Sequence, residues 1–186
     1  RDRYTPAVHP REPYISSREK YVSPFYEREK ELGGFFDNEV ACWERALAYK
    51  SNDQKLNKYL KEVPVRDDEW DHRHVPYEIA NAEHLAMSDS VGMINLSHFP
   101  IMDIKGPDAE RMLEYLSVAK VGSNTPEGKV IYTNFLDEDG GVHADLTISR
   151  LGSDSYRIVT GGADGNRDWV LLRNYRDDNG LNADIN

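Results

Sequence analysis

Four carboxylates, Asp137, Glu138, Asp139 and Asp145, crowd the stretch YTNFLDEDGGVHADLTISRL (Tyr132 to Leu151), beside His143 and the pair Gly140-Gly141. Such a set suits a calcium loop, a tight turn, or a strand that carries a catalytic acid. Calcium fails on spacing. An EF-hand loop needs Gly at its sixth position and Glu at its twelfth, whereas DEDGGVHADLTI has Gly at the fourth and fifth and Ile at the twelfth. Turn chemistry accounts for Asp137 to Gly141 without a ligand, because Asp and Gly accept the positive φ of a tight hairpin. Asp145 is different, since it falls inside the strand that follows. Period two places Val142, Ala144, Leu146 and Ile148 on one face and His143, Asp145, Thr147 and Ser149 on the other. Strand interiors are depleted in Asp, so Asp145 is a candidate acid/base residue, with His143 as a neighbour on its face.

Other residues offer less. His72 and His74 are two apart and His84 and His98 stand alone, so no pair has the i, i+4 spacing that presents two imidazoles to a metal. No metal is expected. VTGGADGNRDW is glycine-rich and precedes a helix, but it matches neither G-x-G-x-x-G nor a Walker A sequence. It is kept as ligand lining.

These residues need elements to hold them. Residues 1–22 read as an extended arm, punctuated by Pro6, Pro10 and Pro13. SPFYEREKELGGFF predicts a short helix capped by Ser23, with Pro24 at its first position and its end at Gly33-Gly34. In DQKLNKYLKEV, Leu56, Tyr59, Leu60 and Val63 recur at helical spacing, and a further helix is expected from Pro76 to Ser88. Gly92 is expected to open a strand region. FPIMDIKG alternates as a strand, and GPDAERMLEYLSVAK is the clearest helix. Pro107 starts it, Asp108 lies in its first turn, and Ala109, Met112, Leu113 and Leu116 make one apolar stripe. Then KVIYTNFL, VHADLTISRL and SYRIVTGG form a meander, and NRDWVLLRNYRDD forms a last helix ending near Gly180. Antiparallel strands with separate helices define an α+β fold: an antiparallel sheet with packed helices.

Composition narrows the function classes. Acidic residues outnumber Lys and Arg by 33 to 23, and a net charge of -10 argues against nucleic acid, whose phosphates demand clustered cations. Three Trp, eleven Tyr and five Phe supply the large apolar surface a globular core needs. The longest apolar runs, such as WVLL, fall far short of the roughly 20 residues of a membrane helix, so no membrane span is expected. Cys42, the one cysteine, fits a reducing compartment, cytoplasm or mitochondrial matrix. The sequence lacks an initial Met, and its last residues suggest an element begun but not finished, so a fragment of a longer polypeptide is expected.

Several stretches together resemble the folate-binding aminomethyltransferase family, that of the glycine cleavage T-protein. They are AEHLAMSDSVGMINLSHFPIMDIKGPDAERMLEYL, VIYTNFLDEDGGVHADLTISRL and YRIVTGGADGNRDWVLLR, in order over residues 75–175. The resemblance implies that 75–186 is the N-terminal part of the T-protein-type folate-binding fold. It also implies tetrahydrofolate as cofactor, Asp145 as the catalytic aspartate, Tyr132 as a folate-lining tyrosine, and Val159, Thr160 and Gly161, with Gly162, as a strand end beside the pterin. SPFYEREKELGGFFDNEVACWERALAY is similar to the lead-in of the folate domain in sarcosine and dimethylglycine dehydrogenases, with Cys42 and Ala46 where that branch has Gly and Pro. Residues 23–74 are thus expected to be a helical lead-in. In that branch FAD belongs to a separate upstream domain, and a methylated amine is the small-molecule substrate. The main expectation is one-carbon transfer to tetrahydrofolate within such a demethylating oxidoreductase. A stand-alone glycine cleavage aminomethyltransferase, taking an aminomethyl donor, and a non-catalytic regulatory relative are the alternatives.

Overall fold

In a computed structural model of the chain, residues 18–40, 43–63 and 77–186 are described. Most of the expected arm, together with Cys42, His72 and His74, lies outside the described residues. The chain divides into two compact units, Arg1–His98 and Phe99–Asn186. The expected lead-in 23–74 falls within the first, as does the helix after it.

The first unit opens with α1 (Tyr26–Glu31), a hairpin of β1 (Gly34–Val40) and β2 (Trp43–Tyr49), then α2 (Asp53–Leu60) and α3 (Tyr77–Asp89). Ser23 does not cap α1. Phe25 holds the cap position without a side-chain bond, while the Ser23 hydroxyl accepts from the Phe25 N–H and donates to Glu29. Gly33, at φ 72°, ends the helix as expected. The β1–β2 hairpin was not foreseen from local pattern. On β2, buried Glu44 accepts from Arg18 Nε at 2.7 Å and from the Glu19 N–H at 2.8 Å. The Arg18 bond holds the Glu44 carboxyl below its ordinary value, against the opposing effect of burial. That contribution to stability is present above the ordinary carboxylate range and is lost as pH falls through the lowered value. Buried Glu29 accepts from Ser23, from the Tyr49 hydroxyl at 2.8 Å and from Asn95 Nδ2 at 2.9 Å. Leu56, Val63 and Ala82 make a small core between α2 and α3, although α2 itself stops at Leu60. Residues 91–96 are unpaired, so Gly92 does not open a strand.

The second unit is the expected sheet with packed helices. Its elements are β3 (Ile101–Lys105), α4 (Ala109–Leu116), β4 (Val130–Leu136), β5 (Val142–Arg150), β6 (Ser155–Thr160), α5 (Gly165–Asp178) and β7 (Asp184–Ile185). The strands form one five-stranded sheet in the order β4-β5-β6-β3-β7, every pair antiparallel. Ala109, Met112, Leu113 and Leu116 of α4 are all buried, and with Leu172 of α5 they cover Ile104, Phe135, Leu146, Ile148, Tyr156 and Ile158 on one sheet face. The other face is covered by no helix of this unit.

Three loops complete the frame. Asp137 shapes the β4–β5 turn, its Oδ1 accepting from the Asp139 and Gly141 N–H groups, with Gly140 at φ 83°. Beyond α4, the Val118 N–H donates to the Asn134 carbonyl and the Ala119 N–H to Thr133 Oγ1, which lays this segment along β4. At the other edge, the unfinished-looking last residues form β7. Asp103 and Asn186 exchange both backbone bonds, and Asp108 Oδ2 accepts from the Asn182 N–H. Gly106 makes this docking possible, because at φ 136° a Cβ there would stand 2.5 Å from the Asn182 carbonyl oxygen.

Leu113→Ala should therefore cost about 2–5 kcal/mol in denaturant unfolding, as for a fully buried leucine. Gly106→Ala should cost more than about 1 kcal/mol and speed amide exchange at Asn186, since both backbone angle and space oppose the new methyl group.

Candidate functional site

The register of the sheet decides what the open face presents. Asn134 stands directly opposite Asp145, Tyr132 opposite Thr147, Thr147 in turn opposite Val159, and Val159 opposite Ile101. Paired residues share a face, so Tyr132, Asn134, Asp145, Thr147, Val159 and Ile101 all lie on the side away from α4 and α5. Ala144, Leu146 and Ile148, the residues between, are buried. Alternation in β5 thus sends Asp145 outward, as its sequence position requires. Its carboxylate is exposed rather than buried.

Tyr132 reaches it across the strand pair on the diagonal, and its hydroxyl donates to Asp145 Oδ2 at 3.1 Å. Both side chains are exposed. The hydrogen bond and the negative charge of Asp145 raise the Tyr132 phenol above its ordinary value. Farther along the same face, Arg157 Nε and Nη2 grip both oxygens of Asp103 at 2.7 and 2.9 Å. This bidentate pair holds the Asp103 carboxyl below its usual range. The face therefore offers a tyrosine-braced carboxylate among neutral polar and apolar neighbours, with a neutralised ion pair at a distance. It can accept hydrogen bonds and a proton, and its tyrosine ring and valine can flank a flat heterocycle.

Residues assigned together from sequence part company at β6. Val159 lies on the open face with Tyr132 and Asp145. Thr160 does not: its side chain is buried and its hydroxyl donates to Asp168 Oδ2 beneath the sheet. The Leu146–Thr160 pair is the last of the β5–β6 ladder, so Gly161 follows on alongside Asp145 and contributes backbone there. His143 also departs from expectation. The β4–β5 register slips between Phe135 and Leu136, which pair with Ala144 and Val142, and His143 is left without a partner opposite. At this bulge its imidazole turns off the Asp145 face, and Nε2 comes to rest 3.8 Å from Asp168 Oδ1. Asp168, completely buried, is the residue that sequence reasoning missed. A signal was present, since Asp168, Leu172 and Tyr175 recur at helical spacing and put a carboxylate in the apolar stripe of α5.

Comparison with known proteins gives this arrangement a family. A family model described as the GCVT N-terminal domain matches residues 25–185. The chain belongs to that family. The aminomethyltransferase of Cupriavidus taiwanensis is 36% identical over 107 residues, covering 56% of this chain and 28% of the relative. A crystal structure of the glycine cleavage system aminomethyltransferase T from Bartonella henselae superposes with a TM-score of 0.60 at 18% identity, over 88% of this chain and 37% of that one. That likeness bears on fold, which is the α+β arrangement expected. The chain spans well under half the length of either relative.

Substituting Asp145 by Asn should move the Tyr132 titration back toward that of free tyrosine. The neutral phenol is favoured by Asp145 below the ordinary phenol value of about 10, and the advantage is lost as pH rises through the raised one. Ultraviolet titration against a Tyr132→Phe control reads the shift, and an unchanged curve would sever the pair in solution.

Proposed function

We propose that this chain is the Asp145-bearing part of a folate-dependent aminomethyltransferase, which passes a one-carbon unit to tetrahydrofolate. The observation that carries the reading is the outward-facing Asp145, held by Tyr132 on an open sheet face of a T-protein-family domain. Bound there, tetrahydrofolate would supply the nucleophilic amine. The residues present suit it: Asp145 and Asn134 can accept from and donate to a pterin edge, and Tyr132 and Val159 can flank its ring.

In this mechanism Asp145 acts as acceptor. It would accept a hydrogen bond from the folate amine, hold the proton which that amine gives up, and stabilise positive charge nearby. Tyr132 fills Oδ2, fixes the carboxylate rotamer, and leaves Oδ1 for the incoming N–H. A geometry set before the ligand arrives lowers the entropic part of the barrier.

A stand-alone aminomethyltransferase of the glycine cleavage type is the reading the named relatives favour. A second reading, the folate half of a sarcosine or dimethylglycine dehydrogenase-like oxidoreductase, draws on the lead-in SPFYEREKELGGFF and on CWERA. In it FAD would belong to a separate domain, since the antiparallel sheet here has no βαβ unit to hold a dinucleotide. A dinucleotide-binding motif upstream in the reading frame would decide for the second reading. Either activity suits the cytoplasm or a mitochondrial matrix.

In the intact protein, Asp145→Asn should keep folate binding by calorimetry while formation of 5,10-methylenetetrahydrofolate falls by about 10²–10⁴-fold. Unchanged turnover would remove Asp145 from the mechanism. An intact protein that binds no folate at all would favour the regulatory relative.

A further inference from the structure

We propose that Asp168 is a positioning residue for Asp145, tying together from beneath the sheet the two strands that flank the reacting carboxylate. The proposal rests on Asp145 being the proton acceptor. Three contacts define the tie. The Thr160 hydroxyl donates to Asp168 Oδ2, Arg167 Nε donates to Oδ1 at 3.2 Å, and His143 Nε2, buried and without a hydrogen bond of its own, lies 3.8 Å from the same oxygen.

The places of these partners in the register make the case. His143 is the bulged residue of β5, two positions before Asp145. Thr160 closes the β5–β6 ladder opposite Leu146, one position after it. One buried carboxylate therefore reaches both strands at the level of Asp145, on the opposite side of the sheet. Burying that charge is costly, and an apolar side chain would fill the space at less expense. Its location in the first turn of α5 offsets part of the cost through the helix dipole. What the carboxylate provides is direction. A bulge loosens pairing where it occurs, and a slip of one residue would turn Asp145 into the core. Tethering Thr160 and facing His143 opposes that slip.

The test uses the intact protein and the variants Asp168→Asn, Thr160→Val and Thr160→Ser, with Asp145→Asn as control. Loss of the tie should lower kcat by about tenfold or more for Asp168→Asn and Thr160→Val, because small misplacements of a catalytic group are expensive. The KM for tetrahydrofolate should stay within about twofold. Thr160→Ser, which keeps the hydroxyl, should recover most of the loss. Independently of turnover, the Tyr132 titration should move toward that of free tyrosine in the first two variants and return in the third, since it reports the contact with Asp145. A purely structural role would lower melting temperature and leave kcat per folded molecule and the Tyr132 titration at wild-type values. That result overturns the proposal. If Asp168→Asn fails to fold, the Thr160→Val and Thr160→Ser pair carries the test. If Asp145→Asn is itself silent, the functional reading has failed, and the Tyr132 titration alone decides whether Asp168 holds Asp145 in place.

Discussion

Alternation along β5 from Ala144 onward is the constraint from which the rest follows. Ala144, Leu146 and Ile148 must enter the core under α4 and α5, so Asp145 and Thr147 must leave it. The apolar half of the strand thereby aims the polar half. Hydrophobic burial supplies the force, at about 25 cal/mol for each Å² removed from water, and it is insensitive to what the outward residues are. The outward direction of the Asp145 carboxylate is thus fixed by neighbours buried on the other side of the sheet.

Where alternation or helical spacing carried the burial, the sequence could be read. The stripe Ala109, Met112, Leu113 and Leu116 is buried in full, and the three inward residues of β5 are too. The parts that escaped have a different physical origin. The β1–β2 hairpin has apolar residues without a clean period of two, and its register slips twice, so alternation does not betray it. The two residues of β7 have no pattern at all. They are a strand only because β3, some eighty positions earlier, offers its edge. The outward turn of Asp145 was legible from period two, whereas the departure of His143 was not, because a bulge is set by the partner strand and the turn. Asp168 had only its helical spacing with Leu172 and Tyr175 to mark it, and that spacing does not say which partners meet the carboxylate.

Three buried carboxylates, Glu29 and Glu44 in the first unit and Asp168 in the second, are satisfied in different ways. Glu44 has a guanidinium, whereas the donors on Glu29 are the neutral groups Ser23, Tyr49 and Asn95. Burial, with Glu29 facing its hydroxyl, pushes the Tyr49 phenol well up. Asp168 lies between these cases, with a hydroxyl, a guanidinium and an imidazole around it. Each arrangement satisfies a carboxylate that water would otherwise solvate, and each fixes segments distant in sequence to one another.

The strip after α4 that lies along β4 has one more effect. An open sheet edge is a template on which another chain can add a strand, and an exposed apolar edge invites assembly into aggregates. Val118 and Ala119 occupy that position beside the C-terminal half of β4, consuming the Asn134 carbonyl and the Thr133 hydroxyl. At the far side, β7 is too short to recruit a stranger. Part of the β4 edge is thus taken up from within the chain, with no further strand laid there.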